Sequence, residues 1–259
     1  MTLTEKNYYS NNANWAYMSV SQYKQFRRCE AAAMAQLQRE WEQPKTTALL
    51  IGSYVDAWFE GTLDQFREEN PEIFKKDGNL KADFLVAEAV IERVQKDDLF
   101  MEYMSGRKQT IRKAKLFGCD WKIKIDSYHP GRMIVDLKVM RSMERVMGKS
   151  FVEYWGYDLQ MAVYAAVEGH DLETYLAVAT KQNPIDIGLI EIPKWRREDL
   201  LFEVERTLPH ILRVKAGEIE PERCGMCDYC RATKKLTAPI DFEVVGLSNA
   251  ERKAIFGSL

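Results

Sequence analysis

The sequence predicts an α/β fold built as one large domain. Three observations carry this. The chain has 259 residues, enough to enclose a sizeable core. Its centre, residues 110–139, is rich in strand patterning and is flanked on both sides by segments of helical periodicity. A helical stretch at 155–168 is then followed by two more strand patterns, the alternation expected where helices cover a sheet.

The elements follow in order. Residues 1–14 are polar and rich in Asn and Tyr, which predicts a loose arm. Ser19 or Ser21 is placed to cap a helix running through Tyr23, Phe26, Ala33 and Leu37 toward Trp41, with Pro44 closing the connection. A second helix fits Ala48 to Phe59, and in it Asp56 sits among large apolar side chains one turn after Gly52. A carboxylate there is costly unless it is paired or metal-bound. Residues 61–79, with Gly61, Pro71 and Asp77-Gly78, read as a connector. Lys81 to Gln95 repeats Phe84, Ala87, Val90, Ile91 and Val94 at helical intervals, and a short turn follows near Leu99-Phe100. Beyond Gly148, Trp155 to Glu168 reads as one helix carrying Gln160 and Tyr164 one turn apart. Strands fit Thr174 to Thr180 and Ile185 to Ile192, and Arg196 to Lys215 is a long helix that Pro209 should kink. Residues 15–240 are taken as the domain and 241–259 as a tail.

The strand-rich centre carries the chemistry. On an extended strand alternate residues share a face, so in Ile134-Val135-Asp136-Leu137-Lys138 the carboxylate of Asp136 and the ammonium of Lys138 point one way while Val135, Leu137 and Val139 point the other. The preceding run, Trp121 to Asp126, alternates in the same manner, and His129-Pro130-Gly131-Arg132 is a turn that can fold the two runs into neighbours. If register permits, Asp126 and Asp136 converge on one cation beside Lys138. Hydrolysis of a phosphodiester calls for such a set: hard oxygen ligands for Mg²⁺, and a lysine that orients or helps deprotonate the attacking water. An alternating charged strand on a solvated sheet face would carry the same pattern.

Composition bounds the partners. Net charge is −2, which gives no global attraction to nucleic acid, so contact with DNA must rest on local patches. Three exist: Arg107 to Lys115, Gln25-Phe26-Arg27-Arg28 and Lys194-Trp195-Arg196-Arg197. Each could equally be a solvated face. No apolar stretch approaches a membrane span and the start is not that of a signal peptide, so a cytoplasmic location and no membrane partner are expected.

Of five cysteines, three lie in Cys224-Gly225-Met226-Cys227-Asp228-Tyr229-Cys230. Thiols at intervals of three can surround one soft metal or a cluster, and a fourth ligand is needed to close it. Cys29 is the natural candidate, whereas Cys119 looks like packing. A disulfide framework does not suit a cytosolic chain with an odd cysteine count. Spacing alone leaves iron–sulfur and zinc both open.

With these pieces placed, the chain resembles the PD-(D/E)xK nuclease superfamily, and within it the phage-type RecE-like exonucleases related more distantly to lambda exonuclease. Gly52-Ser53-Tyr54-Val55-Asp56 is similar to the family's Gly-x-x-x-His helix motif, Asp126 to its first metal aspartate, Asp136-Leu137-Lys138 to its (Asp/Glu)-x-Lys, and Gln160-x-x-x-Tyr164 to its Gln-x-x-x-Tyr helix. The resemblance spans roughly residues 15 to 240. It departs at Asp56, where the family has histidine; aspartate still binds a hard cation. The cysteines are similar to those of iron–sulfur members of AddB and CRISPR-adaptation type, although the step from Cys227 to Cys230 is shorter than theirs.

The resemblance implies a restriction-endonuclease-like α+β core, a central mixed sheet flanked by helices. It implies Asp56, Asp126, Asp136 and Leu137 at two Mg²⁺ (or Mn²⁺) ions, Lys138 assisting water attack, and Gln160 and Tyr164 supporting the site. Cys29, Cys224, Cys227 and Cys230 would hold a [4Fe–4S] cluster or Zn²⁺. The implied activity is digestion of linear double-stranded DNA ends, 5′ to 3′, leaving 3′ overhangs for a RecT-type annealing protein. A ring-shaped homo-oligomer and a phage or prophage origin in a bacterial host follow from the same analogy, and Arg141 is a candidate for gripping a terminal 5′-phosphate. Two rival readings are a catalytically degenerate cysteine-cluster DNA-binding protein and an end-processing nuclease of CRISPR-adaptation or AddB type. For the latter any motor would be a separate chain, since no Walker motif is present.

Overall fold

The computed structural model describes residues 2–42, 46–236, 239–240 and 242–256; Pro44, expected to close the first helix, lies outside them. The chain divides into two compact units, where the sequence suggested one domain over 15–240. One unit is Met1–Gln43, Phe117–Asp120 and Val204–Leu259, the other Pro44–Leu116 and Trp121–Glu203.

The second unit holds a five-stranded mixed sheet in the order β1 (Arg107–Leu116), β2 (Cys119–His129), β3 (Met133–Met140), β4 (Glu173–Thr180), β5 (Ile187–Glu191). Strands β2 and β3 are antiparallel, β3 and β4 parallel, β4 and β5 antiparallel. A parallel neighbour needs a crossover, and the helices between β3 and β4 supply it. The alternation read from the sequence sets the two faces. Val135 and Leu137 of β3, with Ala177 and Ala179 of β4, join one core with Ile51, Tyr54 and Val55 of one helix (Thr47–Glu60) and Phe84, Ala87 and Val90 of another (Ala82–Gln95). Asp136 and Lys138 therefore point to the opposite face.

Three helical expectations are corrected. The first helix breaks at Cys29, which has extended backbone (φ −165°, ψ 106°) and serves as C-cap of α2 (Val20–Arg28) and N-cap of α3 (Glu30–Leu37). Ser19 is its N-cap, accepting from Gln22 N–H at 3.3 Å. The helix expected at 155–168 starts two residues later, as α9 (Tyr157–Glu168), because Gly156 adopts a left-handed φ of 63°; Trp155 instead ends a separate short helix, α8 (Phe151–Trp155), in a stretch for which the sequence suggested no helix. Within the expected connector a short helix, Leu63–Glu69, forms. In chain order the Thr47–Glu60 helix is α4, Leu63–Glu69 α5, Ala82–Gln95 α6, Asp98–Tyr103 α7, and Lys194–Lys215 α10, which contains Pro209.

In the first unit the N-terminal segment is ordered rather than loose. Helix α1 (Asn11–Ala16) is capped by Ser10, buries Ala13, and is tied by Asn11 Nδ2 to the Leu37 carbonyl at 2.7 Å. Lys215 Nζ donates to the carbonyls of Asn14 (2.7 Å) and Tyr17 (3.3 Å) and to Gln22 Oε1 (3.1 Å). The polar residues that suggested an arm are used as caps and donors. Among the described residues no helix is long and apolar enough to cross a membrane.

Candidate functional site

Asp126, Asp136 and Lys138 gather where β2 and β3 part, with Asp56 within reach of their charge. Backbone pairing runs from His129–Met133 to Ser127–Val135, and beyond it Leu137 N–H is taken by Asp126 Oδ2 at 2.9 Å. A carboxylate has entered between the strands. Asp136 is 2 % exposed; its Oδ1 accepts from Gln160 Nε2 of α9 at 2.6 Å, and its Oδ2 is ion-paired with Lys138 Nζ. Lys138 Nζ also lies 5.0 Å from the ring centre of Tyr157, the residue that Gly156 releases at the start of α9. Asp56 is brought in by α4, whose Thr46 cap accepts from Leu49 N–H at 3.3 Å and whose C-cap is left-handed Gly61.

The electrostatics show a surplus of carboxylate over ammonium. Burial pushes Asp56 up to about 7; Lys138 opposes this, while Asp136 and Glu60 add to the rise. Asp126 is held well above its ordinary range by burial, then by Asp136 and Asp56. Burial would lower Lys138, but Asp136 and Asp126 outweigh it and keep the amine charged. The donors are hard oxygens and the raised pKa values of Asp56 and Asp126 mark a shortage of positive charge, which suits a divalent cation, although among the described residues only the four cysteines bring their ligand atoms within 4.8 Å of one another. Leu137, placed at the metal by the resemblance, has its side chain in the core, so it can contribute only its backbone carbonyl.

Sequence reasoning did not single out Lys108 and Gln109 of β1. Gln109 Nε2 reaches Asp126 Oδ1 at 3.4 Å, and Gln109 has a positive φ of 48°, a strained conformation for a side-chain-bearing residue. Lys108 Nζ is buried without a hydrogen bond among the described residues and lies 5.3 Å from the ring centre of Phe59. Burial lowers its pKa, with Asp126 and Glu60 pulling back. The signal was present only as a basic run.

In the first unit, Cys29, Cys224, Cys227 and Cys230 bring their sulfurs within 4.8 Å of one another, and Cys119 stays outside the group. All five thiols are free. Backbone donors point at the sulfurs: Met226 N–H (3.4 Å) and Cys227 N–H (3.3 Å) at Cys224, and Cys224 N–H (3.4 Å) at Cys29. Burial would raise Cys224, but the Met226 and Cys227 N–H groups, with the Cys227 and Cys29 thiols after them, bring it down to about 7. The C-terminal segment grips the same knuckle, with Asn249 N–H on the Cys224 carbonyl at 3.0 Å and Asn249 Nδ2 on that of Arg223 at 2.7 Å. Gly225 (φ 80°) allows that approach, because a Cβ there would stand 2.8 Å from Asn249 Oδ1.

A family described as a PDDEXK-like domain of unknown function matches residues 19–233. The chain belongs to that PDDEXK-like family. Its sequence is also 49% identical to a protein from Eubacterium rectale whose crystal structure is described as that of a candidate exonuclease. That structure covers 95% of this chain and 99% of its own, with a TM-score of 0.91. The structure called SSO0001 covers 87% of this chain and 88% of its own at 15% identity, and its TM-score of 0.36 is too low to bear on fold. None of the curated proteins matches the sequence.

The residues singled out by the resemblance lie as follows. Asp56, Asp126, Asp136, Lys138 and Gln160 are linked through direct contacts or mutual charge effects. Tyr164 is 9% exposed, one turn beyond Gln160, and so belongs with the buried side of α9. Arg141 is exposed just after β3. The third basic run is largely spent on the fold. Arg196 holds Asp158 through two nitrogens at 2.9 and 2.7 Å, and Arg197 is buried against the Leu172 carbonyl at 2.7 Å. Phe26 takes the second run partly into the core, and Arg112 of the first stacks over Tyr128 at 5.0 Å.

Proposed function

We propose that the protein is a divalent-metal-dependent exonuclease acting on the ends of linear double-stranded DNA. The observation that carries this is the surplus of carboxylate at buried Asp136 and half-buried Asp56 and Asp126 beside a charged Lys138, in a PDDEXK-like chain whose 49%-identical relative is described as a candidate exonuclease. These three acids, with the Leu137 carbonyl, would hold Mg²⁺ or Mn²⁺, two ions in the fullest version of the site. When bound, the metal supplies Lewis-acid stabilisation and a more acidic water.

The chain's own residues do the rest. Gln160 fixes Asp136 in one orientation, and Asp126 is fixed by Leu137 N–H. Lys138 is an ammonium in the resting site, ion-paired with Asp136 Oδ2, so its role would be to orient the attacking water and offset charge on the phosphate, and a cation held by Asp136 would compete with it for that carboxylate. Lys108 adds a second buried positive charge for a neighbouring phosphate. We assign the polarity as 5′ to 3′, with Arg141 on the terminal phosphate and the 3′ overhang passed to an annealing protein, in a homo-oligomer inside a bacterial cytoplasm. Digestion of linear duplex labelled separately at its 5′ and 3′ ends, with and without Mg²⁺, tests chemistry and polarity together. Loss of the 5′ label first, only with metal, is expected; no nucleotide release under any metal would leave a DNA-binding protein.

Two further outcomes are expected. Because Asp56 rises from 3.8 to about 7 on folding, the folded chain keeps a proton that the unfolded chain has lost. Stability of the metal-free protein therefore falls as pH rises from about 4 to 7, and Mg²⁺ restores it where the carboxyls are ionised. Melting curves should show a larger Mg²⁺-induced rise in Tm at pH 8 than at pH 6; an equal rise at both would remove the protonated-carboxyl account.

Gly52 lies inside α4, and a Cβ there would meet no atom within 4 Å. Glycine in a helix interior costs about 0.5–1 kcal/mol relative to alanine. Gly52→Ala should then stabilise the fold by about that amount while slowing DNA digestion about tenfold or more, if the open space is where the DNA backbone passes. Unchanged digestion would mean that nothing approaches Gly52.

A further inference from the structure

We infer that the four cysteines hold a single tetrahedral zinc ion and not an iron–sulfur cluster. The inference rests on reading Cys29, Cys224, Cys227 and Cys230 as a metal site and goes on to name the metal.

The sulfur separations decide between the two. In a tetrahedral thiolate site with bonds of about 2.3 Å, any two sulfurs stand about 3.8 Å apart. Here Cys29 Sγ and Cys230 Sγ are 3.6 Å apart, Cys224 Sγ and Cys230 Sγ 3.9 Å, and no pair exceeds 4.8 Å. In a [4Fe–4S] cubane each cysteine binds a different iron on the outside of the cube, which sets the sulfurs roughly 6 Å or more apart. The space between these four sulfurs admits one ion and has no room for a cube. Nor are they bonded to each other, since a disulfide needs about 2.05 Å.

The backbone is arranged for thiolates. A neutral thiol is a weak acceptor, yet Cys224 Sγ takes two N–H groups and Cys29 Sγ takes that of Cys224. Four thiolates at these separations would repel one another strongly, so all four sulfurs can give up their protons only with a cation at their centre. The knuckle is also held from outside. Asn249 clamps Cys224 and Arg223, Arg223 donates to the Cys230 carbonyl at 3.2 Å, and Ala31 N–H reaches the Glu222 carbonyl at 3.0 Å beside Cys29. Such backing by neighbours that orient the ligands is what a metal-ligand set needs. Among divalent ions that accept four thiolates, zinc binds more tightly than ferrous iron, which selects it from a cell containing both.

The test is elemental and optical. The full-length protein is purified aerobically and anaerobically from cells given both zinc and iron, and its metal, acid-labile sulfide and visible spectrum are measured. One zinc per chain, a colourless sample and stoichiometric zinc release on titration with a thiol-specific mercurial are expected. Exchange with Co²⁺ should produce the intense sulfur-to-metal bands of a tetrahedral tetrathiolate. Four irons with matching sulfide and broad absorption near about 400 nm would overturn the inference while leaving the cysteines a metal site. A single iron would overturn it on identity alone. Four thiols that titrate freely in metal-free protein, and that take up no added Zn²⁺, would overturn both the inference and the metal-site reading beneath it.

Discussion

Lys138→Ala is expected to slow digestion of linear duplex DNA by about 10²–10⁴-fold, the range for loss of a positioned proton-transfer or charge-stabilising group. The geometry adds a second expectation that separates a chemical role from a structural one. Lys138 Nζ is ion-paired with Asp136 Oδ2, and a cation held by Asp136 would compete for the same carboxylate. Removing the ammonium removes the competitor, so Mg²⁺ affinity measured by calorimetry should hold or rise while turnover collapses. Asp136→Asn should behave differently, losing metal affinity and turnover together, because it also breaks the carboxylate that Gln160 orients. Without Mg²⁺ the alanine variant should be the less stable of the two, since it leaves buried Asp136 facing Asp126 and Asp56 with no counter-charge. A Lys138→Ala protein that digests DNA at the normal rate would place the reaction elsewhere in the molecule.

How much of this was legible in the sequence depends on the range over which each signal acts. The pairing of Asp136 with Lys138 follows from a strand period of two, and the turn at His129 to Arg132 brings Asp126 alongside, so both are local inferences. Gln160 was legible as a motif position, and its amide does reach Asp136. The helix breaks at Cys29 and Gly156 were not legible. A single extended residue at Cys29 leaves the apolar periodicity on either side intact, so α2 and α3 read as one helix, while at Gly156 the expected helix overruns the break by Trp155 alone and α8 is too short to show a period. Yet those breaks position side chains of both candidate sites, one bringing Cys29 Sγ to Cys230 and the other setting Tyr157 against Lys138.

Lys108 and Gln109 show a different limit. Their importance comes from which strand lies beside β2, and from a positive φ at Gln109; neither is written in the local pattern of β1, where they read as part of a basic run. The same holds for Arg196 and Arg197, which a charge count assigns to a nucleic-acid patch. Their partners, Asp158 and the Leu172 carbonyl, are 38 and 25 residues away in sequence. Charge is read residue by residue, but its use is decided by contacts that only the fold creates.

The largest effect on stability is expected at the cysteines. Cys29 and Cys230 are separated by 201 residues and their sulfurs by 3.6 Å. A metal that ties them closes a very long loop, and the loop-closure entropy of a cross-link over such a span corresponds to about 5 kcal/mol. Cys29→Ser changes little volume but replaces a soft thiolate with a poor zinc ligand, so it tests the tie with minimal disturbance of packing. It should lower Tm by about 10–20 °C and reduce bound metal in proportion. A chelator added to the unmodified protein should reproduce the shift, and added Zn²⁺ should reverse it. Cys119→Ser is the matched control, because Cys119 is buried to a similar degree, at 8% exposure against 5%, but lies outside the four-sulfur group. It should cost only the modest penalty of a hydroxyl in an apolar place, about 1–3 kcal/mol, and should leave metal content unchanged. If both serine variants lose stability equally and both retain their metal, the four sulfurs are packing alone and the long loop is not tied.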